Sequence, residues 1–201
     1  MVLHELHHVV WYLDDILISG ENDEQHLDNL ARVLSQLEKY GLRGQLSKCQ
    51  FFQDSVEYLG HEINQEGIQP LVKKVIAIKQ APTPKTVEQL ESFFGMINYY
   101  GKFIPNLSSI AAPLNQLRHK NKPWKWENQE ETAFQQLKQA LVSRKILVHY
   151  DPKLPVKLDC DASSVGIGAV LSHQMKDGTE RPIAFASRSL TKAERNYSQI
   201  E

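Results

Sequence analysis

The stretch VVWYLDDILISG, residues 9 to 20, sets two carboxylates side by side between two apolar, β-rich runs. An ordinary aspartate is ionised at neutral pH, so Asp14 and Asp15 repel one another. His8–Leu13 and Ile16–Ser19 read as the arms of a hairpin with the pair at its tip and Gly20 closing the second arm. Aspartate is a favoured turn residue, and an Asp-rich turn is one account of the pair. A second account uses both. Adjacent carboxylates supply the hard oxygen donors that a divalent cation such as Mg²⁺ takes, one or two at a time, alongside substrate phosphates. Two such ions clamp the attacking and leaving oxygens of a phosphoryl transfer. For an arbitrary Asp-Asp the turn account is the better one; apolar strands on both sides, which would bury the flanks of the turn, bring the two accounts level.

Downstream of the hairpin, Asn22 with Gln25 marks a helix start, and Leu27, Leu30, Val33, Leu34 and Leu37 give its apolar stripe. Gly41 is placed to end it. Two strands follow, Cys49–Gln53 and Val56–Ile63, with Asp54-Ser55 as the turn and Asn64–Gly67 as the exit. Pro70 opens a helix carrying Val72, Val75, Ile76 and Ile78, which Pro82-Thr83-Pro84 breaks. Thr86 with Gln89 caps the next, whose stripe holds Leu90, Phe93, Phe94 and Ile97. A third helix spans Asn106–Leu117 and is divided at Pro113. Asn128 with Glu131 caps a fourth, with Phe134, Leu137 and Leu141 inward.

Near Tyr150 the pattern returns to strands, so a boundary is placed at Asp151–Pro155. Val156, Leu158 and Cys160 alternate with Lys157, Asp159 and Asp161, which puts both aspartates on one strand face. Ser163–Gly168 is a small-residue turn, with Gly166 and Gly168 permitting it, and Ala169–His173 is the return strand. Asp177-Gly178 is a hairpin signal leading to Pro182–Ser187. Thr191 with Glu194 caps a final helix. The fold class is α+β.

Charge is unevenly distributed. Residues 1–37 hold one basic and seven acidic side chains, a net of −6, and residues 38–125 hold twelve and seven, a net of +5. An acidic site followed by a basic stretch suits an enzyme that holds metal in one place and a phosphate backbone in the next, though solvated helix faces give similar counts. Tyr99, Tyr100, Lys102 and Phe103, and again Trp124, Lys125 and Trp126, interleave aromatics with lysines. Such groups hold nucleic acid in some proteins and build cores in more. Lys73, Lys74 and Lys79 face phosphate or simply solvent. The eight histidines, with His4, His7 and His8 grouped, have no metal-ligand spacing and are expected on the surface. Two cysteines, Cys49 and Cys160, give no disulfide framework and fit a reducing, intracellular, cytoplasmic setting. No run approaches the ~20 apolar residues of a membrane span, and the N-terminus lacks the features of a secretory signal.

Tyr12-Leu13-Asp14-Asp15 resembles the Y-x-D-D signature of reverse transcriptases. VVWYLDDILISG, LSKCQFFQDSVEYLGHEI, SFFGMINYYGKFIPNLSSIAAPL and LDCDASSVGIGAVLSH follow in the order and spacing of the pol polyprotein of gypsy-type long-terminal-repeat retrotransposons. The resemblance covers essentially the whole chain. It implies a C-terminal palm over residues 1–69 (β-hairpin, helix, β-hairpin), a helical thumb and connection over 70–150, and the start of a ribonuclease H domain over 151–201, a truncated βββα unit. It implies RNA-directed DNA polymerase and ribonuclease H chemistry with Mg²⁺ or Mn²⁺, acting on an RNA/DNA template–primer or RNA–DNA hybrid, with deoxynucleotides as the full-length enzyme's substrates.

By position, Asp14 and Asp15 match two of three metal-binding aspartates of the polymerase site, and Tyr12 matches the aromatic beside the template–primer. Tyr58-Leu59-Gly60 resembles the hairpin that grips the primer end. Asp161 matches the first metal-binding aspartate of ribonuclease H, while Asp159 has no family role. Tyr197 through Glu201 resembles the start of a Y-x-x-x-E-x-E pattern whose catalytic Glu would be residue 203. The third palm aspartate and the fingers would precede Met1. The isolated chain is therefore expected to lack both activities; the alternative is a non-catalytic retroelement remnant that binds nucleic acid or partners.

Overall fold

In the computed structural model, residues 3, 4, 6–119, 122–143 and 146–197 are described. The chain divides into two compact units, Met1–Tyr58 and Leu59–Glu201. The architecture is α+β, as expected.

The first unit opens on the hairpin β1 (Val9–Tyr12) and β2 (Asp15–Ile18), with Tyr12 opposite Asp15 and Val9 opposite Ile18. Helix α1 (Asp23–Lys39) packs on it: Leu3, Val9 and Val33 form a small core, with Trp11, Ile18 and Leu37 against it. Asn22 Oδ1 accepts from the Gln25 N–H at 2.9 Å, and Gln25 Oε1 accepts from the Glu21 N–H at 2.7 Å. The side-chain oxygens thus satisfy donors at the open helix end. Gly41, at φ 68°, ends the helix as expected: its N–H donates to Glu38 O and that of Leu42 to Leu37 O, the Schellman arrangement. Two expectations give way. Leu27 and Leu34 are exposed, because a core of this size takes only the face bearing Val33 and Leu37. Cys49–Gln53 is not a strand: a short 3-10 turn, Leu46–Lys48, precedes it, and Phe52, at φ 51°, sets its ring edge-on to His26 at 5.0 Å. β3 (Ser55–Tyr58) closes the unit.

The second unit begins where the strand expected over Val56–Ile63 is interrupted. Leu59 and Gly60, at φ 45° and 71°, reverse the chain. β4 (His61–Asn64) then pairs antiparallel with β5 (Gly67–Pro70). Helix α2 (Val72–Lys79) starts two residues after Pro70 and buries Val75 and Ile78, leaving Val72 and Ile76 outside. Helix α3 (Val87–Tyr99) has the expected Thr86 cap and buries Leu90, Phe93, Phe94 and Ile97. Two short helices follow, α4 (Leu107–Ile110) and α5 (Ala112–Gln116), and the break falls at Ala111 rather than Pro113, which sits in the first turn of α5. Helix α6 (Asn128–Val142) is capped one residue earlier than expected, with the Glu127 N–H donating to Glu130 Oε2 at 3.0 Å. Glu131 is unavailable for capping because it accepts from Trp126 Nε1 at 2.8 Å. Phe134, Leu137 and Leu141 meet Leu90, Phe93 and Ile97 in one core.

The last sheet is an antiparallel meander, β6 (Val156–Ala162), β7 (Gly166–Gln174) and β8 (Glu180–Ser189). Helix α4 lies against it: the Ser108 N–H donates to Ser187 Oγ at 2.9 Å and the Ser109 and Ser163 hydroxyls meet at 3.2 Å. That contact explains Gly166 and Gly168 better than a turn does. A Cβ on Gly168 would stand 2.2 Å from Asn106 Oδ1, and one on Gly166 2.6 Å from Ser108 Oγ. The Asp151–Pro155 segment is held by buried His173, an exception to the expected surface histidines: its Nε2 accepts from the Asp151 N–H at 2.8 Å, and Nδ1 lies 3.1 Å from Pro155 O. Thr191 and Glu194 cap one another, and Arg188 grips Glu194 through two 2.8 Å contacts that hold its carboxyl down to about 2. Where the final helix is expected, the described residues form only a 3-10 turn, Glu194–Asn196, with Tyr197 extended after it; the Glu201 pattern beyond Tyr197 lies outside the described residues.

Between β4 and β5, Asn64 Oδ1 accepts from the N–H groups of Glu66 and Gly67, and Gly67 adopts φ 148°. A Cβ there would stand 2.1 Å from Leu147 O, a backbone atom in the Ile68–Leu147 bridge. Gly67→Ala therefore adds backbone strain to a clash that no side chain can relieve. We expect it to destabilise the second unit by at least about 2 kcal/mol in chemical denaturation. Gly44→Ala, with open space around it, should leave stability within about 0.5 kcal/mol.

Candidate nucleic-acid and metal site

The hairpin tip is a two-residue loop, Leu13-Asp14, closed by the Tyr12–Asp15 pair. Leu13 carries φ 52°, a conformation a bulky side chain adopts at a cost. Its side chain is 83% exposed, and Val10 and Tyr12 are exposed too. The strands thus bury only one face, not both flanks of the turn. Asp14 and Asp15 stand in solvent beside one another. Tyr58 joins them within the first unit: burial, and secondarily the charge of Asp15, push its hydroxyl above the usual tyrosine range. The Tyr58 hydroxyl is buried with no hydrogen-bond partner among the described residues. Tyr12, Asp14, Asp15 and Tyr58 thus share this unit, and the field of the hairpin reaches Tyr58.

Leu59 and Gly60 belong to the second unit and form a turn with both residues left-handed. The Tyr99 hydroxyl and His61 Nδ1, at 2.7 Å, bond Leu59 O, and the Tyr100 hydroxyl donates to Gly60 O at 2.9 Å. His61 packs among Tyr99, Tyr100 and Phe103, with ring centroids 5.5–5.6 Å away. Sequence reasoning grouped Tyr99, Tyr100 and Lys102 as an aromatic–basic cluster but missed their tie to this turn. The signal was present only as the tandem Tyr at a helix end. The other cluster resolves as core: Trp124 stacks on Trp126 at 5.8 Å, and both pack on the helices. Lys73, Lys74 and Lys79 are exposed on α2.

Asp161 sits near the end of β6, exposed and opposite Gly168. Asp159 is engaged by Lys157 at 3.2 Å, and Lys157 also reaches Glu180 at 2.8 Å. Among the described residues no three His, Cys, Asp or Glu converge as a metal site. Two adjacent exposed carboxylates nevertheless fit an ion that takes one or two carboxylates and completes its shell with phosphates and water.

Residues 2–63, the segment bearing the paired carboxylates, match the family model "Reverse transcriptase (RNA-dependent DNA polymerase)", and residues 126–201 match "RNase H-like domain found in reverse transcriptase". Two segments of the chain thus resemble reverse transcriptase and the RNase H-like domain found in it. It is 37% identical over 191 residues to the transposon Tf2-3 polyprotein of Schizosaccharomyces pombe, and equally to Tf2-7; the match takes 95% of this chain and 14% of each relative. Solved structures of the foamy viral protease–reverse transcriptase match it, each at 27% identity over 98% of this chain. The dRH form in complex with double-stranded DNA has a TM-score of 0.83 over 35% of that chain, and the complex with RNA/DNA hybrid 0.81 over 27%. No helix among the described residues is long and apolar enough to cross a membrane.

His61 carries a pH dependence. Burial, then the nearby Lys102 ammonium, depress its pKa below 6.5, and the Leu59 contact only partly offsets them. Above 6.5 the folded and unfolded forms are both neutral. Below it the unfolded chain binds a proton that the folded one refuses, so stability falls as the pH drops. Thermal melts across this range should show a smaller acid-side loss for His61→Asn than for the wild type.

Proposed function

We propose that this chain is part of a gypsy-type long-terminal-repeat retrotransposon pol polyprotein that acts as an RNA-directed DNA polymerase with ribonuclease H. Residues 1–69 are read as palm, 70–150 as thumb and connection, and 151–201 as the start of ribonuclease H. The observation that carries the reading is the pair Asp14 and Asp15, exposed at a strained hairpin tip inside the segment that matches reverse transcriptases. Both matched families use divalent metals, and Asp14, Asp15 and Asp161 are the residues that would hold them, as Mg²⁺ or Mn²⁺. Bound, such ions stabilise charge on the attacking and leaving oxygens of phosphoryl transfer. Tyr12 lies along the template–primer, and Tyr58, Leu59 and Gly60 hold the primer end. RNA/DNA template–primer and RNA–DNA hybrid are the proposed partners, with deoxynucleotides as substrates. Exposed free Cys49 and Cys160 suit a reducing, intracellular compartment.

The test replaces the matching segment of the Tf2-3 polyprotein with residues 1–201 and assays primer extension on primed RNA. Template-dependent incorporation is expected, falling about a hundredfold or more in Asp14→Asn and Asp15→Asn because each metal contributes several kcal/mol. Asp161→Asn should spare extension and abolish hybrid cleavage. Binding without incorporation, in a chimaera that folds, would replace this reading with non-catalytic nucleic-acid binding.

A further inference from the structure

We infer that Tyr99, Tyr100 and His61 form a clamp that fixes the Leu59–Gly60 turn in the shape it presents to nucleic acid, which makes them positioning residues. The inference rests on reading that turn as a grip for the primer end. A two-residue turn with both residues left-handed ordinarily uses Asn-Gly, and leucine pays a steric penalty there without a local polar group to offset it. Here the offset comes from outside the turn. Leu59 O receives the Tyr99 hydroxyl and His61 Nδ1, and Gly60 O receives the Tyr100 hydroxyl and the Leu71 N–H, at 3.3 Å. Three of these four donors are side chains. A strained conformation persists where its surroundings over-determine it, and such places concentrate at functional sites.

Burial alone does not explain the pair of tyrosines. Tyr100 is 4% exposed and belongs to the core, but Tyr99 is 53% exposed. The half-exposed Tyr99 ring stacks on His61 and meets Tyr100 edge-on, and its hydroxyl is the part that reaches the turn. Burial pushes the Tyr100 hydroxyl above the usual range and keeps it a donor. Gly60 completes the fit: a Cβ there would stand 3.1 Å from the Tyr100 hydroxyl oxygen and 3.2 Å from Tyr99 Cε1. The chemistry also suits a polyanion. Free carbonyl oxygens on the ridge would repel phosphate, and the clamp satisfies both with donors. Because Tyr99 and Tyr100 end α3, which is anchored in the core by Phe93 and Ile97, the turn moves only with that helix.

The 201-residue chain is titrated with an RNA–DNA hybrid bearing a recessed primer 3′ end and with a blunt hybrid of equal length, at one salt concentration, with melts in parallel. The wild type should prefer the recessed end. Tyr99→Phe, Tyr100→Phe and His61→Asn should each lose two- to tenfold of that preference, about one hydrogen bond, with blunt-end affinity unchanged. Tyr99→Phe is decisive, since it keeps the ring and removes only one hydroxyl contact, so its melt should fall only slightly below that of the wild type. Equal weakening on both hybrids, or no change, overturns the clamp and leaves the reading of the turn standing. A wild type without preference overturns the reading of the turn and the clamp with it.

Discussion

The ring contact between Phe93 and Phe134, 4.6 Å between centroids, is the interaction on which the second unit depends. It joins α3 to α6, and the buried residues around it draw in α5 and Leu147. Leu147 is bridged to Ile68, so the β4–β5 hairpin is registered against the same core by backbone hydrogen bonds. The two-tyrosine end of α3 then reaches the Leu59–Gly60 turn. Apolar burial sets the positions, and a handful of directional contacts transmit them to the polar turn.

The first unit obeys a different constraint. Its core is small, and its two most conspicuous charges lie outside it. Asp14 and Asp15 stay in high dielectric, where mutual repulsion is cheapest. Such a pair is tolerable without a cation and improved by one. Asp161 repeats the pattern on β6, exposed near a strand end while Asp159 is tied up by Lys157. Carboxylates left open and carboxylates committed to structure are thus distinguishable along the same strand.

Much of this was legible from periodicity and caps. Helices α1 and α3, the meander and the Asp14–Asp15 hairpin all follow from local rules. The errors were non-local or sat at positive φ. Phe52 and Leu59 carry no residue-type signal for left-handed backbone, so one strand was expected where there is none, and another ran unbroken through a turn. The cap of α6 slipped by one because Trp126 takes Glu131. The links from Tyr99 and Tyr100 to a turn some 40 residues earlier lie beyond any sequence window. Gly166 closes the turn with Ser163, but the side chains that a Cβ at Gly166 or Gly168 would meet are 58 to 62 residues away in sequence, beyond any local signal.

That seam bears on how such chains can diverge. Asn106 and Ser108 on one side and Gly166 and Gly168 on the other share one van der Waals gap. A larger residue at either glycine presses on a side-chain tip, Asn106 Oδ1 or Ser108 Oγ, which must turn away or give place to a smaller group, so the two sides drift most easily as pairs. Recombination that takes the helical stretch from one parent and the meander from another breaks the pairing. Exchange that keeps residues 106–189 together preserves it. The crossovers that disturb this seam least therefore lie away from the visible change from helices to strands near Tyr150.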